Sequence, residues 1–445
     1  MPRVGDFLLP ALGVGVLAAL AASEVVVRDV PPPGRVHISY WEKWTGFEGD
    51  AMRAVVDEFN RTQNDIFVDL LTVSDIQNKT MLAVSAGIPP DVAGLFGANV
   101  PQYADDQAVM LLDDYCREAG IGPEDYKPVY WATGNYRGHI YSLPSTPAST
   151  ALHYNTDLMR KAGLDPNKPP RTIEELTAMA DRMTKKQEDK ILVSGFLPSE
   201  PGWWNWAWGH FFGGELWDGK SKITINSPEN VRAFEWVQSF SKKYGPAELQ
   251  TFKSGFGNFS SPQNAFMQNQ VGMELQGVWM YNFITMYAKD LKWAAAPFPP
   301  PAGRPDLANT TIAEQDVLVI PRGAKHPKEA FEFIKFVQSQ KGMELLCLGQ
   351  KKNSPLTQVS DEFWKQHPNP YVRLFDELAS SPNAVATPAM GIWTEYGAEI
   401  NNAYDEIVLM KKTPKKALDD VAARMQPKLD QYLRRLALRE KVEGG

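Results

Sequence analysis

The stretch from residue 36 to residue 93 constrains the fold more than any other part of the chain. Val36 to Tyr40 (VHISY) is a short strand pattern that runs into an aromatic turn, Trp41-Glu42-Lys43-Trp44-Thr45-Gly46. Met52, Val55, Val56 and Phe59 then recur at i, i+3, i+4 and i+7, a spacing that gathers apolar side chains on one helix face. A second strand pattern follows at Ile66 to Thr72, and Pro90-Asp91-Val92-Ala93 introduces a third apolar run. Strands separated by a helix are not joined as a hairpin; the crossover lays them parallel, with helices covering the sheet. The class expected is α/β. A chain of 445 residues is too long for one ordinary core, so two lobes are expected. Further helices are marked by Thr172 with Glu175 as a capping box, by Ser227-Pro228, and by Pro327 ahead of Ala330, Phe333, Ile334 and Val337.

The charge pattern narrows the partners. A formal net charge of -7 and the absence of a Lys/Arg-rich block argue against nucleic acid, whose phosphates need a clustered basic surface. Cys116 and Cys347 stand far apart without CxxC or Cys/His spacing, so two buried free thiols are expected, with no metal site and no cofactor. The six His residues form no HExxH pattern and no Ser lies in G-x-S-x-G. Gly214 to Ser221 does match G-x-x-x-x-G-K-S, but a phosphate loop must follow a strand and open a helix. Here Ile223-Thr224-Ile225 alternates as a strand, so a Gly-bounded hairpin is expected. The 13 Trp residues are the unusual feature, many of them beside Gly, Pro or Asn rather than inside regular apolar periods. Such placement suits a ligand surface, because a pyranose offers one apolar face and a rim of hydroxyls.

Phe7 to Ala22 is an apolar run of signal-peptide size, with small residues at Ala19 and Ala21 for cleavage and a Pro-rich spacer after it. Residues 1–34 are expected to be a signal peptide, or an N-terminal membrane anchor if Val25 to Val27 lengthen the run, plus a linker. Either outcome places the rest of the chain in the periplasm or outside the cell. No Cys follows the run, which excludes a lipoprotein anchor.

Several stretches in order, among them YWEKWTGFEGDAMRAVVDEFN, YSLPSTPASTALHYNTDLMRKAGLDPNKPPRTIEEL, NAFMQNQVGMELQGVW and IPRGAKHPKEAFEFIKFV, resemble the family 1 extracellular solute-binding proteins. That group includes the maltose- and oligosaccharide-binding receptors of ABC importers, and the likeness spans about residues 36 to 435. The resemblance implies the class II periplasmic-binding-protein fold, two α/β lobes joined by crossover hinge strands. Residues 35–147 and 297–350 would form the first lobe, and 148–296 and 351–440 the second, with crossovers at Ser145 to Thr150 and Ala296 to Pro300. It implies a monomer without catalytic residues that captures a carbohydrate in the cleft and passes it to ABC permease subunits.

By position in the family, Trp203 or Trp204, then Gly277 with Trp279, and Trp393 with Tyr396 would line the sugar from the second lobe. Glu42, Lys43, Trp44 and Thr45 would face it from the first, with Asn99 and Tyr103 as further candidates. Two other readings share the aromatic cleft: a secreted glycan-processing enzyme with paired carboxylates, and a surface lectin without a transporter.

Overall fold

The computed structural model describes residues 32–443, so the expected leader lies outside the described residues. Strand β1 (Val36–Glu42) leads into helix α1 (Gly46–Thr62), and β2 (Ile66–Thr72) returns parallel to β1. β3 (Val92–Phe96) pairs parallel on the other side of β1, so the crossover geometry expected of this segment is formed. Ala51, Met52, Val55, Val56 and Phe59 are the buried face of α1, which is the face the spacing marked.

One long strand organises the rest. β4 (Leu143–Asn155) pairs through Leu143 to Ser149 with β8 (Thr311–Val319), and through Thr150 to Tyr154 with β6 (Val271–Gly277). Beyond β6 lies β5 (Lys190–Phe196), parallel to it, while β7 (Trp293–Ala296) pairs with the far end of β4 and β9 (Ala384–Val385) with the start of β8. The described strands thus make a 10-stranded sheet in the order β2-β1-β3-β8-β4-β6-β5, closed at that edge by Lys185–Gln187. The first expected crossover, Ser145 to Thr150, falls within β4 at the point where its partner changes from β8 to β6. The second leaves β7 through Phe298 and its prolines before entering β8.

Two large hydrophobic clusters flank that change of partner. Ile38, Tyr40, Val55 and Phe59 pack with Phe333, Ile334 and Leu346 from helices α5 (Pro327–Gln338) and α6 (Gln340–Gln350). Leu356 and Phe363, beyond residue 350, belong to the same cluster. The other gathers Leu152, Phe196, Trp208, Phe234, Phe298, Tyr404 and Leu429 from the opposite half of the sheet and from helices α8 (Trp393–Val408) and α9 (Pro414–Glu443). Cys116 and Cys347 are buried and unpaired.

Local sequence signals place the helices. The Ser227 hydroxyl accepts the Asn230 N–H at 3.3 Å, capping α3 (Pro228–Tyr244), and Thr172 accepts from Glu175 N at 3.1 Å ahead of α2 (Ile173–Met183). The return bond of a capping box is displaced by one residue: Glu175 accepts from Arg171 N at 2.8 Å because the Arg171 side chain also holds that carboxylate. Ser227→Ala should cost about 1 kcal/mol, the worth of one lost N-cap, read as a lower denaturant midpoint at constant m-value. An unchanged midpoint would show the cap to be idle. At Gly214 to Ser221 the chain turns as a hairpin: Trp217 bridges Ile223, and one Asp218 oxygen accepts the backbone N–H groups of Lys220, Ser221 and Lys222 at 2.8–2.9 Å. The amides that a phosphate would need are turned onto Asp218.

Candidate functional site

Loops that leave the C-terminal ends of parallel strands converge on one cavity of about 790 Å³. β1 delivers Trp44 and Glu48, and β3 delivers Phe96, Gly97, Ala98 and Asn99. Trp203 and Trp206 follow β5, and Trp279 follows β6. The floor is the strand pair that joins the two halves of the sheet, through Thr146 and Ala148 of β4 and Glu314, Gln315 and Asp316 of β8. Trp393 at the start of α8 closes the remaining side.

The walls are aromatic. Trp279 lies 6.1 Å from Trp203 and 6.0 Å from Trp204 between ring centroids, and Phe259 bridges Trp203 at 4.2 Å to Phe283 of helix α4 (Met280–Tyr287) at 5.0 Å. Trp44 stands edge-on to Phe96 at 6.0 Å, and Trp206 to Trp393 at 5.4 Å. Gly277 gives Trp279 its place, since a Cβ there would overlap the indole ring. Flat rings on several sides, with polar groups between them, form a surface for a ligand that has apolar faces and hydroxyl edges.

Beneath the rings runs a buried polar network. Asp316 accepts from Thr146 at 2.6 Å and from the Trp44 indole N–H, and forms an ion pair with Lys43 at 3.2 Å. Lys43 also pairs with Glu42 at 3.4 Å, and Glu42 in turn takes the Tyr40 hydroxyl and the Lys43 backbone N–H. Burial works against the Lys43 ammonium, but Asp316 and Glu42 together hold its pKa above the ordinary lysine value. Across the cavity Lys352 pairs with Glu48 at 2.5 Å and lies 5.8 Å from the Trp279 ring. Asn99 Oδ1, Gln315 Oε1 and the Trp279 indole N–H are buried without a partner among the described residues.

Of the sequence-derived candidates, Trp44, Asn99, Trp203, Trp279 and Trp393 line the cavity, and Gly277 shapes it. Glu42 and Lys43 lie beneath the wall: the pleat of β1 turns Glu42 inward, and Lys43 folds back onto the Gly94 and Leu95 carbonyls. Thr45 is exposed at the N-cap of α1 and is absent from the wall. Trp204 and Tyr396 are core residues, Tyr396 donating to the Leu216 carbonyl at 2.7 Å, and Tyr103 is buried with its hydroxyl on the Gln77 carbonyl. Sequence reasoning did not single out Glu48, Trp206, Phe259, Glu314, Asp316 or Lys352. For Trp206 a signal existed in the Trp203-Trp204-Asn205-Trp206 run. Glu314 and Asp316 reach the cavity through long-range pairing, which no local pattern announces.

The sequence pattern of the bacterial extracellular solute-binding proteins matches residues 47–344. The chain belongs to that family. Among solved structures, CpMnBP1 with mannotriose bound is 29% identical, with a TM-score of 0.75 over 87% of this chain and 99% of that one. The sugar-binding protein MalE from Xanthomonas citri shares the fold at 19% identity, with a TM-score of 0.74 over 91% of this chain and 100% of its own. Among curated proteins, the sn-glycerol-3-phosphate-binding periplasmic protein UgpB of Pectobacterium atrosepticum is 23% identical over 246 residues, 51% of this chain and 52% of that protein. The chain spans about half the length of the curated relatives it matches.

As in the two-lobed periplasmic binding proteins it matches, this solute-binding protein has a mixed α/β fold, with β4 and β8 running between the halves. The family and fold are those of substrate-binding proteins. Among the described residues, no group of His, Cys, Asp and Glu is arranged to hold a metal ion, and no helix is long and apolar enough to cross a membrane.

Proposed function

We propose that this chain captures a carbohydrate, an oligosaccharide in particular, in the aromatic cavity and delivers it to ABC permease subunits. The observation that carries the reading is the set of Trp44, Trp203, Trp206, Trp279 and Trp393 around one cavity whose polar groups are already ordered. The mannotriose carried by the 29%-identical CpMnBP1 supports the same ligand class. In this reading the first lobe holds 35–147 and 297 to about 367, extended past residue 350 because Leu356 and Phe363 pack there, and the second holds 148–296 and the remainder to 440. β4 and β8 act as the hinge, and a ligand touching both walls favours the closed form by its differential affinity for it. The chain works as a monomer, in the periplasm or outside the cell, freed from its leader or held by it.

Catalysis is not part of this reading. A glycosidase needs two carboxylates flanking the scissile bond, one of them free to act as acid. Asp316 is held by Lys43, Trp44 and Thr146, and Glu48 by Lys352, so only Glu314 among the wall carboxylates is disengaged. The test is a thermal-shift screen against neutral, amino and acidic saccharides, followed by calorimetry and a hydrolysis assay. A ligand at about 100 times its Kd raises native stability by about 2.7 kcal/mol. Solution scattering should report compaction with the same ligand. Steady turnover of it, or stabilisation without compaction, would favour the enzyme or the lectin instead.

A further inference from the structure

Three carboxylates stand on the cavity wall, and two are engaged by a cation: Asp316 by Lys43, which it shares with Glu42, and Glu48 by Lys352. Glu314 is the third. It sits opposite Ala148 of β4, whose methyl group offers no donor, and its carboxylate makes no hydrogen bond or ion pair among the described residues. The elements packed on β8 supply little charge. Val92–Phe96, Gly97–Asn99 and Pro128–Gly134 carry no Asp, Glu, Lys, Arg or His. β4 contributes His153, which is buried on the Ala151 carbonyl, and α7 (Val372–Ala379) contributes Arg373, Asp376 and Glu377, with Asp376 engaged by Lys127. Burial, and then the like charge of Asp316, push the Glu314 carboxyl up to about 7.

We propose that Glu314 is a specificity-determining residue and that the cavity selects a saccharide bearing an amino group, whose ammonium pairs with this carboxylate beside the aromatic rings. The inference rests on the carbohydrate reading above. An acidic sugar or a sugar phosphate placed here meets a carboxylate of its own sign, while Lys352, the cation among the described wall residues, is already paired with Glu48. A neutral sugar that displaces water leaves a buried charge uncompensated, so Glu314 takes up a proton when it binds. An ammonium removes that cost and forms a charge-assisted hydrogen bond with the carboxylate.

The experiment uses the full chain and its Glu314→Gln variant, titrated with matched hydroxyl and amino sugars of the gluco, galacto and manno series, as monomers and short oligomers. For at least one matched pair the parent should bind the amino form more tightly, by about tenfold, and Glu314→Gln should erase that preference. Calorimetry in two buffers of different ionisation enthalpy should detect proton uptake with the hydroxyl form in the parent and none in the variant. Binding of hydroxyl forms with no amino preference in any pair, or a preference that survives Glu314→Gln, overturns the proposal. If no saccharide of either kind binds, the carbohydrate reading itself falls, and this inference with it.

Discussion

Asp316→Ala is expected to destabilise the fold by about 3–5 kcal/mol, the usual consequence of removing one partner from a buried ion pair. Asp316 is 7% exposed and collects the Lys43 ammonium, the Trp44 indole N–H and the Thr146 hydroxyl at the base of the cavity. Without it the buried ammonium retains Glu42 and two backbone carbonyls, and two neutral donors lose their acceptor. Because the folded-state pKa of Lys43 is raised, its stabilising contribution is complete below the ordinary lysine value of 10.5 and is lost only as pH climbs through the raised one. The part of the deficit that comes from Lys43 should therefore be the same across the neutral range, whereas the loss of the Asp316 charge relieves Glu314 and shrinks the deficit as pH rises through about 7. Asp316→Asn, which keeps an acceptor for Trp44 and Thr146, should be milder. Denaturant titration decides, and a variant within about 1 kcal/mol of the parent would mean that the network carries no such weight.

The parts of this architecture visible in the sequence are those whose determinants are local. β1, α1 and β2 announce themselves because periods of two and 3.6 act over a dozen residues, and Ser227 and Thr172 mark helix starts by hydrogen bonds three residues long. The site is a different matter. Trp279 and Trp393 were nameable from their surroundings, but Glu42 and Lys43 sit in the same turn as Trp44 and differ from it only in which way the pleat and the Gly94 carbonyl draw them. Glu314 is set opposite Ala148 by a strand pairing that spans more than half the first 314 residues of the chain. Neither burial nor the loss of a partner can be read before that pairing is known. The same holds for Leu356 and Phe363, which follow α6 back onto the first core although a boundary at residue 350 would assign them elsewhere.

Trp279 and Trp393 should respond to truncation in different ways although both line the cavity. Trp393 is 9% exposed and belongs to the large core of the β6 half, edge-on to Trp206 at 5.4 Å and to Tyr396 at 6.0 Å. Trp393→Ala opens a void among aromatic rings and should cost about 3–5 kcal/mol of folding stability, with weakened binding as a second effect. Trp279 is only partly buried, its indole N–H has no partner among the described residues, and the space it uses is left by Gly277. Trp279→Ala should leave most of the stability intact and weaken the cognate saccharide by about 1–3 kcal/mol, or about 5- to 150-fold in Kd. Calorimetry for affinity and denaturant unfolding for stability, run on both variants, separate the two roles. Trp279→Ala binding like the parent would remove the aromatic wall from the recognition surface. A Trp279→Ala protein as unstable as Trp393→Ala would make both rings packing residues that the cavity merely exposes.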